Sequence, residues 1–152
     1  MLYFIIALII LFDQLTKWLV QSSMTLNTSI PVMEGVFSMT YIHNSGAAFS
    51  MLQGKTFLLI GIQLLVIFAM LAYASMKRRG MNRLLLVSLG LIIGGGFGNL
   101  IDRVRQGYVV DFFDFHFWPI FNVADIAVSV GCGLLIVYVL FVEGKESDAK
   151  SV

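Results

Sequence analysis

Charge, cysteine, histidine and proline are all scarce in this chain of 152 residues, which has one cysteine, two histidines and two prolines. Only 12% of the residues are charged and 59% are hydrophobic, whereas about 25% of a soluble domain is charged. The single Cys132 excludes an internal disulfide and any cysteine-rich metal site. A formal net charge of +1 offers no basic surface for a nucleic acid. The composition indicates one membrane-embedded domain over residues 1–152.

Several hydrolytic motifs are also missing. The only histidines are His43 and His116, and no H-E-x-x-H motif occurs, so zinc-dependent hydrolysis has little support. No G-x-S-x-G frame surrounds Ser45 or Ser50, which argues against a serine nucleophile. Cys132 lies about two turns inside an apolar segment, where a buried thiol would be inert. We therefore expect neither a metal nor another cofactor.

Four apolar segments are long enough to cross a membrane, since about 20 helical residues span the hydrocarbon core. The first could instead be a cleaved signal peptide. However, no Lys or Arg precedes it, and Asp13–Gln14 falls where a small-residue cleavage site should follow. The predicted spans are residues 2–20, 56–76, 84–101 and 120–142, joined by outer loops 22–55 and 102–119.

The basic residues predict an orientation for these spans. Six of the ten lie in the short turn between the second and third spans and in the C-terminal tail. Because cytoplasmic loops are enriched in Lys and Arg, we expect both termini in the cytoplasm. Asp102, Asp111 and Asp125 then meet at the outer membrane interface.

The outer loops are rich in β-branched and aromatic residues, which favours short strands. Residues 30–50 predict strands followed by a small-residue turn at Asn44–Ala48 and a short surface helix, and Gly107–Phe115 predicts another strand. With a period of two, Asp111 and Asp114 point to opposite faces of that strand. The expected fold is an all-α polytopic membrane protein of four transmembrane helices with a small extracytoplasmic β-sheet.

Polar residues recur on the third span at helical spacing. Asn99, Asp102 and Arg103 are spaced i, i+3 and i+4 and share a helix face. Gly95 lies one turn earlier, where a missing side chain allows close approach by another helix or by a substrate. For Asp102 we favour a structural role in an ion network with Arg103, because a neighbouring guanidinium keeps a carboxylate ionised and a poor proton donor.

Two further carboxylates, Asp111 and Asp125, are candidates for catalysis. Asn122, three residues before Asp125, predicts a helix N-cap, but capping does not explain why Asp111 arrives from a strand 14 residues earlier. Two carboxylates in a partly apolar pocket share a proton, which suits peptide hydrolysis by a general base and a general acid. A purely structural ion network remains an alternative. Asp13 and Lys17, at i and i+4, predict a neutralised pair that supports the first span.

Two other classes of function are open at this point. A proton-coupled carrier could use Asp13, Lys17 and Asp125 as a relay, but it should have ionisable groups at mid-membrane and an internal repeat. A non-enzymatic assembly factor would tolerate the loss of both Asp111 and Asp125.

Five sequence blocks together resemble lipoprotein signal peptidase, the bacterial type II signal peptidase, over residues 2 to about 142. They occur in order as Asp13-Gln-x-x-Lys17, Asn44-x-Gly-Ala-Ala-Phe49, Gly94-Gly-x-x-Gly-Asn99-x-x-Asp102-Arg103, Val109-Val-Asp111-Phe112 and Phe121-Asn122-x-Ala-Asp125.

The resemblance implies a membrane aspartyl endopeptidase of the bacterial cytoplasmic membrane. Its implied substrate is a prolipoprotein, cut on the amino side of a diacylglyceryl-modified cysteine at the outer leaflet, and membrane lipid is a further partner. We expect a monomer. The catalytic pair implied is Asp111 and Asp125. The implied substrate-binding residues are Asn44, Asn99, Arg103 and Asn122, and the supporting residues are Asp13, Lys17, Gly95 and Asp102.

Overall fold

A computed structural model describes residues 1–46, 54–77 and 80–144 of the chain. Four of its helices are long and apolar enough to cross a membrane, judged by length and composition. A three-stranded antiparallel sheet accompanies them. The predicted fold class, four apolar helices with a small sheet, is confirmed. The short surface helix predicted after the Asn44–Ala48 turn falls in residues 47–53, outside the described residues.

The helices differ in their bounds from the predicted spans. α3 continues five residues past the predicted end, so Asp102 and Arg103 lie on the helix and not in an outer loop. α4 starts three residues later than predicted, because Asn122 caps it in a reciprocal capping box with Asp125. The helices are α1 (Leu2–Ser23), α2 (Thr56–Met76), α3 (Arg83–Gln106) and α4 (Val123–Tyr138), and α4 continues as the π-helical residues Val139–Glu143.

α3 is the central helix and packs against the other three. Of its apolar stretch, 61% is buried inside the protein, against 17–22% for the other helices. Its Ile93 is fully buried and belongs to a core cluster with Ile67 of α2 and Tyr138 of α4. Large apolar side chains such as Phe57 and Leu65 face outward on α2. Soluble monomers rarely expose such extended apolar surface, so the outer face of the helices suits lipid.

Cys132 lies on the exposed surface of α4, so the prediction of a buried thiol was wrong. The core-facing and lipid-facing sides of a membrane helix are both apolar, and the sequence pattern does not separate them.

The sheet brings two of the outer segments together. Its strands are β1 (Ser29–Met33), β2 (Phe37–Asn44) and β3 (Val109–Asp114), in the order β1-β2-β3. The register of β2 against β3 pairs Ile42 with Asp111 and Asn44 with Val109. The sheet is anchored by a buried cluster that includes Val110 and Val20 of α1. Asn44 and Asp111 are thereby fixed side by side near the end of α3.

Candidate active site

Asparagine amides hold the carboxylates of Asp111 and Asp125. Asn122 donates from Nδ2 to Asp111 Oδ1 over 2.6 Å and from its backbone N–H to Asp125 Oδ2 over 3.2 Å. Asn99 Nδ2 donates to Asp125 Oδ1, and Asn44 Nδ2 donates to Asp111 Oδ2, each over 2.8 Å. All four carboxylate oxygens therefore accept an N–H. Neither carboxylate forms a salt bridge among the described residues.

The orientation of Asn44 is fixed by the loop that follows it. Its Oδ1 accepts the backbone N–H of Gly46 over 3.0 Å, so its Nδ2 faces Asp111. Arg103 extends from α3 to the same loop and donates from Nη2 to the Gly46 carbonyl over 3.0 Å. Its Nη1 donates to Gln63 Oε1 over 3.2 Å. The loop, α2 and α3 are thus joined beside the two carboxylates.

Arg103 does not form the ion pair with Asp102 that we predicted. Within the described residues Asp102 pairs with Lys17, at 2.9 Å between Oδ2 and Nζ. Asp102 also accepts the Val110 N–H of β3 over 3.2 Å. Neighbouring residues on a helix do not face each other, so Asp102 points to α1 and β3 while Arg103 points to the loop. Asp102 still has a structural role, but it holds α1 and β3 through Lys17 and Val110 and not through Arg103.

Lys17 is the centre of a second polar cluster. Its side chain is 2% exposed, and its Nζ lies 2.8 Å from Asp13 Oδ2 and 2.9 Å from Asp102 Oδ2. It also donates to Asn99 Oδ1 over 2.8 Å. The predicted Asp13–Lys17 pair is confirmed, and three acceptors match the three N–H groups of the ammonium. Asp13 also accepts the Ala124 N–H over 2.9 Å, so the cluster joins α1, α3 and the start of α4.

Two glycines allow these elements to come so close. A Cβ on Gly98 would lie 2.5 Å from Asp13 Oδ2 and 3.2 Å from the Cβ of Ala124. A Cβ on Gly95 would collide with the Ala124 carbonyl oxygen and would lie 2.9 Å from Val128 Cγ2. Glycine in apolar helices lets backbones approach closely. The missing side chain of Gly95 therefore lets α4 pack directly against α3.

Burial and the charge of Asp125 raise the pKa of Asp111 to about 7. The side-chain amides of Asn44 and Asn122 act in the opposite direction, since they stabilise the ionised form. Asp111 is only 1% exposed. It can therefore carry a proton near neutral pH, as one member of a proton-sharing pair must.

Asp114, the other carboxylate of β3, faces away from this pair. It accepts Thr40 Oγ1 and the His116 N–H, each over 2.8 Å. Burial acts to raise its pKa, but these hydrogen bonds and His116 outweigh burial and lower it. The predicted strand phase is confirmed, and Asp114 lies outside the site.

A cavity of about 540 Å³ opens beside Asp111 and Asp125. Asn44, Asn99 and Arg103 also line it, while Asn122 is fully buried behind the two carboxylates. The remaining lining residues are Ile42, His43, Ser45, Gly46, Val109, Trp118, Pro119, Ile120, Phe121, Val128 and Ser129. A mostly apolar cavity with a few converging polar groups is the usual form of a small binding site.

Sequence reasoning missed two glutamines. Gln63 bridges Arg103 and the Gly96 carbonyl, to which its Nε2 donates over 2.7 Å. Gln14 donates from Nε2 to Asp102 Oδ1 over 3.0 Å. A lone amide inside an apolar span is a signal that could have identified Gln63.

His43 of the cavity wall was also not assigned a role. Its Nε2 lies 2.8 Å from the Tyr41 hydroxyl, and its ring stacks on Tyr108 at 3.6 Å between centroids. Burial lowers the pKa of His43, so the imidazole is neutral at physiological pH. In residues 1–46, 54–77 and 80–144, no group of three His, Cys, Asp or Glu side chains is arranged to hold a metal ion.

Two buried carboxylates that can share a proton, on a scaffold of four apolar helices, are an arrangement that suits a membrane-embedded aspartic peptidase. The comparisons with known proteins agree. The family model described as Signal peptidase (SPase) II matches residues 5–141. The chain belongs to this signal peptidase II family.

Individual relatives extend over nearly the whole chain. It is 49% identical to the lipoprotein signal peptidase of Halothermothrix orenii, over 91% of this chain and 94% of that protein. It is 45% identical to that of Bacillus velezensis, over 97% and 99% of the two chains. A bacterial membrane enzyme solved by the in meso method at 2.3 Å superposes with a TM-score of 0.85 and 33% identity, over 91% of this chain and 87% of that one.

Proposed function

We propose that Asp111 and Asp125 are the catalytic pair with which this chain removes the signal peptide from bacterial prolipoproteins. The cut falls on the amino side of the diacylglyceryl-modified cysteine. The observation that carries the assignment is the shared asparagine, Asn122, which donates to both carboxylates where they face the cavity. The pair has no salt-bridged cation among the described residues to hold both members ionised.

In the proposed reaction water attacks the scissile carbonyl directly. One carboxylate takes a proton from the water while its oxygen bonds to the carbonyl carbon, and the other gives its proton to the carbonyl oxygen. The C–N bond of the resulting diol then breaks. The amine leaves with the first carboxylate's proton, and a diol hydroxyl returns a proton to the second. The pair ends as it began.

The amides around the pair divide into two groups. Asn99 and Asn122 use their side chains within the protein, and we propose that both orient the two carboxylates. Asn99 also lines the cavity and is placed to meet the substrate, whereas Asn122 is fully buried behind the pair and reaches the substrate only through the carboxylates that it holds. Asn44 and Arg103 lie on the cavity wall. We propose that these two hold the peptide backbone and headgroup region of the precursor. Asp13, Lys17, Gly95 and Asp102 support the site from behind.

The proposed location follows from the charge distribution. With the basic turn between α2 and α3 in the cytoplasm, both termini are cytoplasmic and the single domain 1–152 presents its site at the outer leaflet. A reporter fused after Arg79 should then be cytoplasmic, and one inserted at Gln106 should be external. Both reporters on one side would contradict this topology.

Lipid attachment is proposed to supply positioning more than contacts. The acyl chains of the substrate already lie in the bilayer, so binding beside the helices gains little transfer energy. Anchoring instead holds the scissile bond at the depth of the pair and raises its effective concentration. We also propose that the monomer is active.

The test is cleavage of paired peptides, one carrying the diacylglyceryl-cysteine and one unmodified, by the purified protein in the same nanodisc. We expect the unmodified peptide to be cut at least about a hundredfold more slowly, which is well within the range of positional effects. Asp111→Asn in the same nanodisc provides the background. Equal rates on the two peptides would refute the lipoprotein specificity and leave the aspartyl pair intact.

A further inference from the structure

The side-chain amide of Asn99 has only one orientation that satisfies its neighbours. Its Oδ1 accepts from Lys17 Nζ over 2.8 Å and from Asn122 Nδ2 over 3.1 Å. Its Nδ2 donates to Asp125 Oδ1 over 2.8 Å. An ammonium has no acceptor, so a flipped amide would set its NH₂ group against two donors. Lys17 therefore determines that Asn99 presents a donor to Asp125.

Lys17 itself has little freedom to move. Its three N–H groups are taken by Asp13, Asp102 and Asn99, and it is buried between α1 and α3. A hydrogen bond from a charged donor polarises the bond that follows it in the chain. The sequence of contacts Lys17–Asn99–Asp125 thus strengthens the donor that Asp125 accepts.

The two carboxylates of the pair are supported unequally. Asp125 lies in the first turn of α4 and accepts the backbone N–H of Asn122 as well as the Asn99 amide. The positive end of the helix dipole favours a negative charge there. Asp111 comes from a strand and, among the residues that the structure describes, is held by the side-chain amides of Asn44 and Asn122.

The inference rests on the proposed function. We propose that Lys17 is a positioning residue for the reaction: through Asn99 it holds Asp125 as the ionised member of the pair at rest, which leaves Asp111 as the protonated member. Asp125 is then the base that takes the proton from water, and Asp111 is the acid that protonates the carbonyl oxygen. The cations near the pair are Lys17 of α1 and Arg103 of α3, and the neutral His43 of β2 lies on the cavity wall. Asp13 and Asp102 contact Lys17 on its other side.

Two variants that break the same ion pair separate this role from simple support. Lys17→Met removes the cation, and Asp13→Asn removes its partner but leaves Lys17 in contact with Asp102 and Asn99. We expect Lys17→Met to lower kcat roughly tenfold or more, the size of a lost charge-assisted hydrogen bond. We also expect the acid limb of its pH–rate profile to move to higher pH, because Asp125 loses its support.

Asp13→Asn should leave the acid limb in place or move it to lower pH, because a negative charge has been removed. If Lys17 only fastened the helices together, the two variants would lose thermal stability and activity in parallel, with unchanged limbs. That parallel loss would overturn the inference. The assay uses the full chain in nanodiscs with the lipidated precursor, and rates are divided by the amount of folded enzyme.

A third variant keeps the question decidable if Lys17→Met does not accumulate. Asn99→Leu removes the donor to Asp125 without adding a charge beside it, and it leaves Lys17 paired with Asp13 and Asp102. We expect this variant to lose about tenfold or more in kcat, with the acid limb at higher pH. A wild-type profile in Asn99→Leu would overturn the inference. Failure of the wild-type protein to cut the lipidated precursor would instead overturn the proposed function itself.

Discussion

Two pairs of aspartates lie at the same end of α3, and they differ in what holds them. Asp13 and Asp102 both contact the ammonium of Lys17, at 2.8 and 2.9 Å. Asp111 and Asp125 contact asparagine amides and no salt-bridged cation in the described part of the chain. The first pair shares one cation and is buried, whereas the second borders a cavity.

The difference shows how one residue type supports two tasks in a membrane. A cation in contact with two carboxylates offsets their mutual repulsion, which suits a fixed joint between helices. Neutral donors orient carboxylates without compensating their charge, so a buried pair must share a proton. Asn99 touches both clusters, since it accepts from Lys17 and donates to Asp125.

Neutralising either member of the amide-held pair should have the largest effect. Asp111→Asn and Asp125→Asn should each reduce cleavage by about a thousandfold or more, because a nearly isosteric amide cannot cycle a proton. Protein abundance in membranes should stay close to wild type. If either variant retained more than about a tenth of the wild-type rate, a loss of only ~1.4 kcal/mol, that residue would not be catalytic.

The pH dependence should reveal the shared proton. Cleavage should fall as pH rises above about 7, at roughly tenfold per unit, as the pair loses its last proton. A flat profile to pH 9 would contradict proton sharing.

The free energy of unfolding should depend on pH through the same proton. The raised pKa of Asp111 means that the native state holds a proton between pH 3.8 and about 7 that the unfolded chain has released. This contribution to stability is present below the unfolded pKa and is lost as pH rises through the folded value. As pH rises from 3.8 to about 7, the Tm of the wild type should therefore fall relative to the Tm of Asp111→Asn. No change in the difference between the two Tm values would contradict the assigned pKa.

Neutralising a member of the lysine-held pair, Asp13 and Asp102, should mainly lower the free energy of unfolding. Asp102→Asn weakens the hydrogen bonds from Gln14 and Val110 and one contact with Lys17, at a cost of about 1–3 kcal/mol. Activity per folded molecule should remain within about tenfold of wild type. Thermal unfolding in detergent and cleavage assays on the same preparation measure the two effects separately.

Asp114→Asn should have the smallest effect. Its hydrogen bonds to Thr40 and His116 lie on the far side of β3 from Asp111. Cleavage should be unchanged within about twofold, which corresponds to well under 1 kcal/mol. An inactive Asp114→Asn variant with wild-type abundance would mean that this carboxylate, too, belongs to the chemistry.

Local patterns in the sequence were enough to predict much of this arrangement. Asn122 forms the predicted N-cap, as part of a capping box with Asp125, and Asp13 and Lys17 form the predicted i, i+4 pair. Both depend on residues a turn apart, where helix geometry alone determines the contact. The phase of β3, which separates Asp111 from Asp114, follows from alternation in the same way.

Contacts between distant segments were not predictable. The positions of Asp102 and Arg103 on α3 gave no indication that Asp102 would pair with Lys17 or that Arg103 would meet Gln63 and the Gly46 carbonyl. Such choices depend on how the helices rotate against one another, and an apolar helix carries little polarity pattern to set that rotation. The exposure of Cys132 was not predicted for the same reason.

The most direct test of the central claim compares one member of each aspartate pair in a single assay. Asp111→Asn and Asp102→Asn are reconstituted in nanodiscs with the lipidated precursor, and single-turnover cleavage is measured per folded molecule at pH 6. The account predicts background cleavage for Asp111→Asn and a rate within about tenfold of wild type for Asp102→Asn. Clear cleavage by Asp111→Asn, with none by a folded Asp102→Asn, would contradict it.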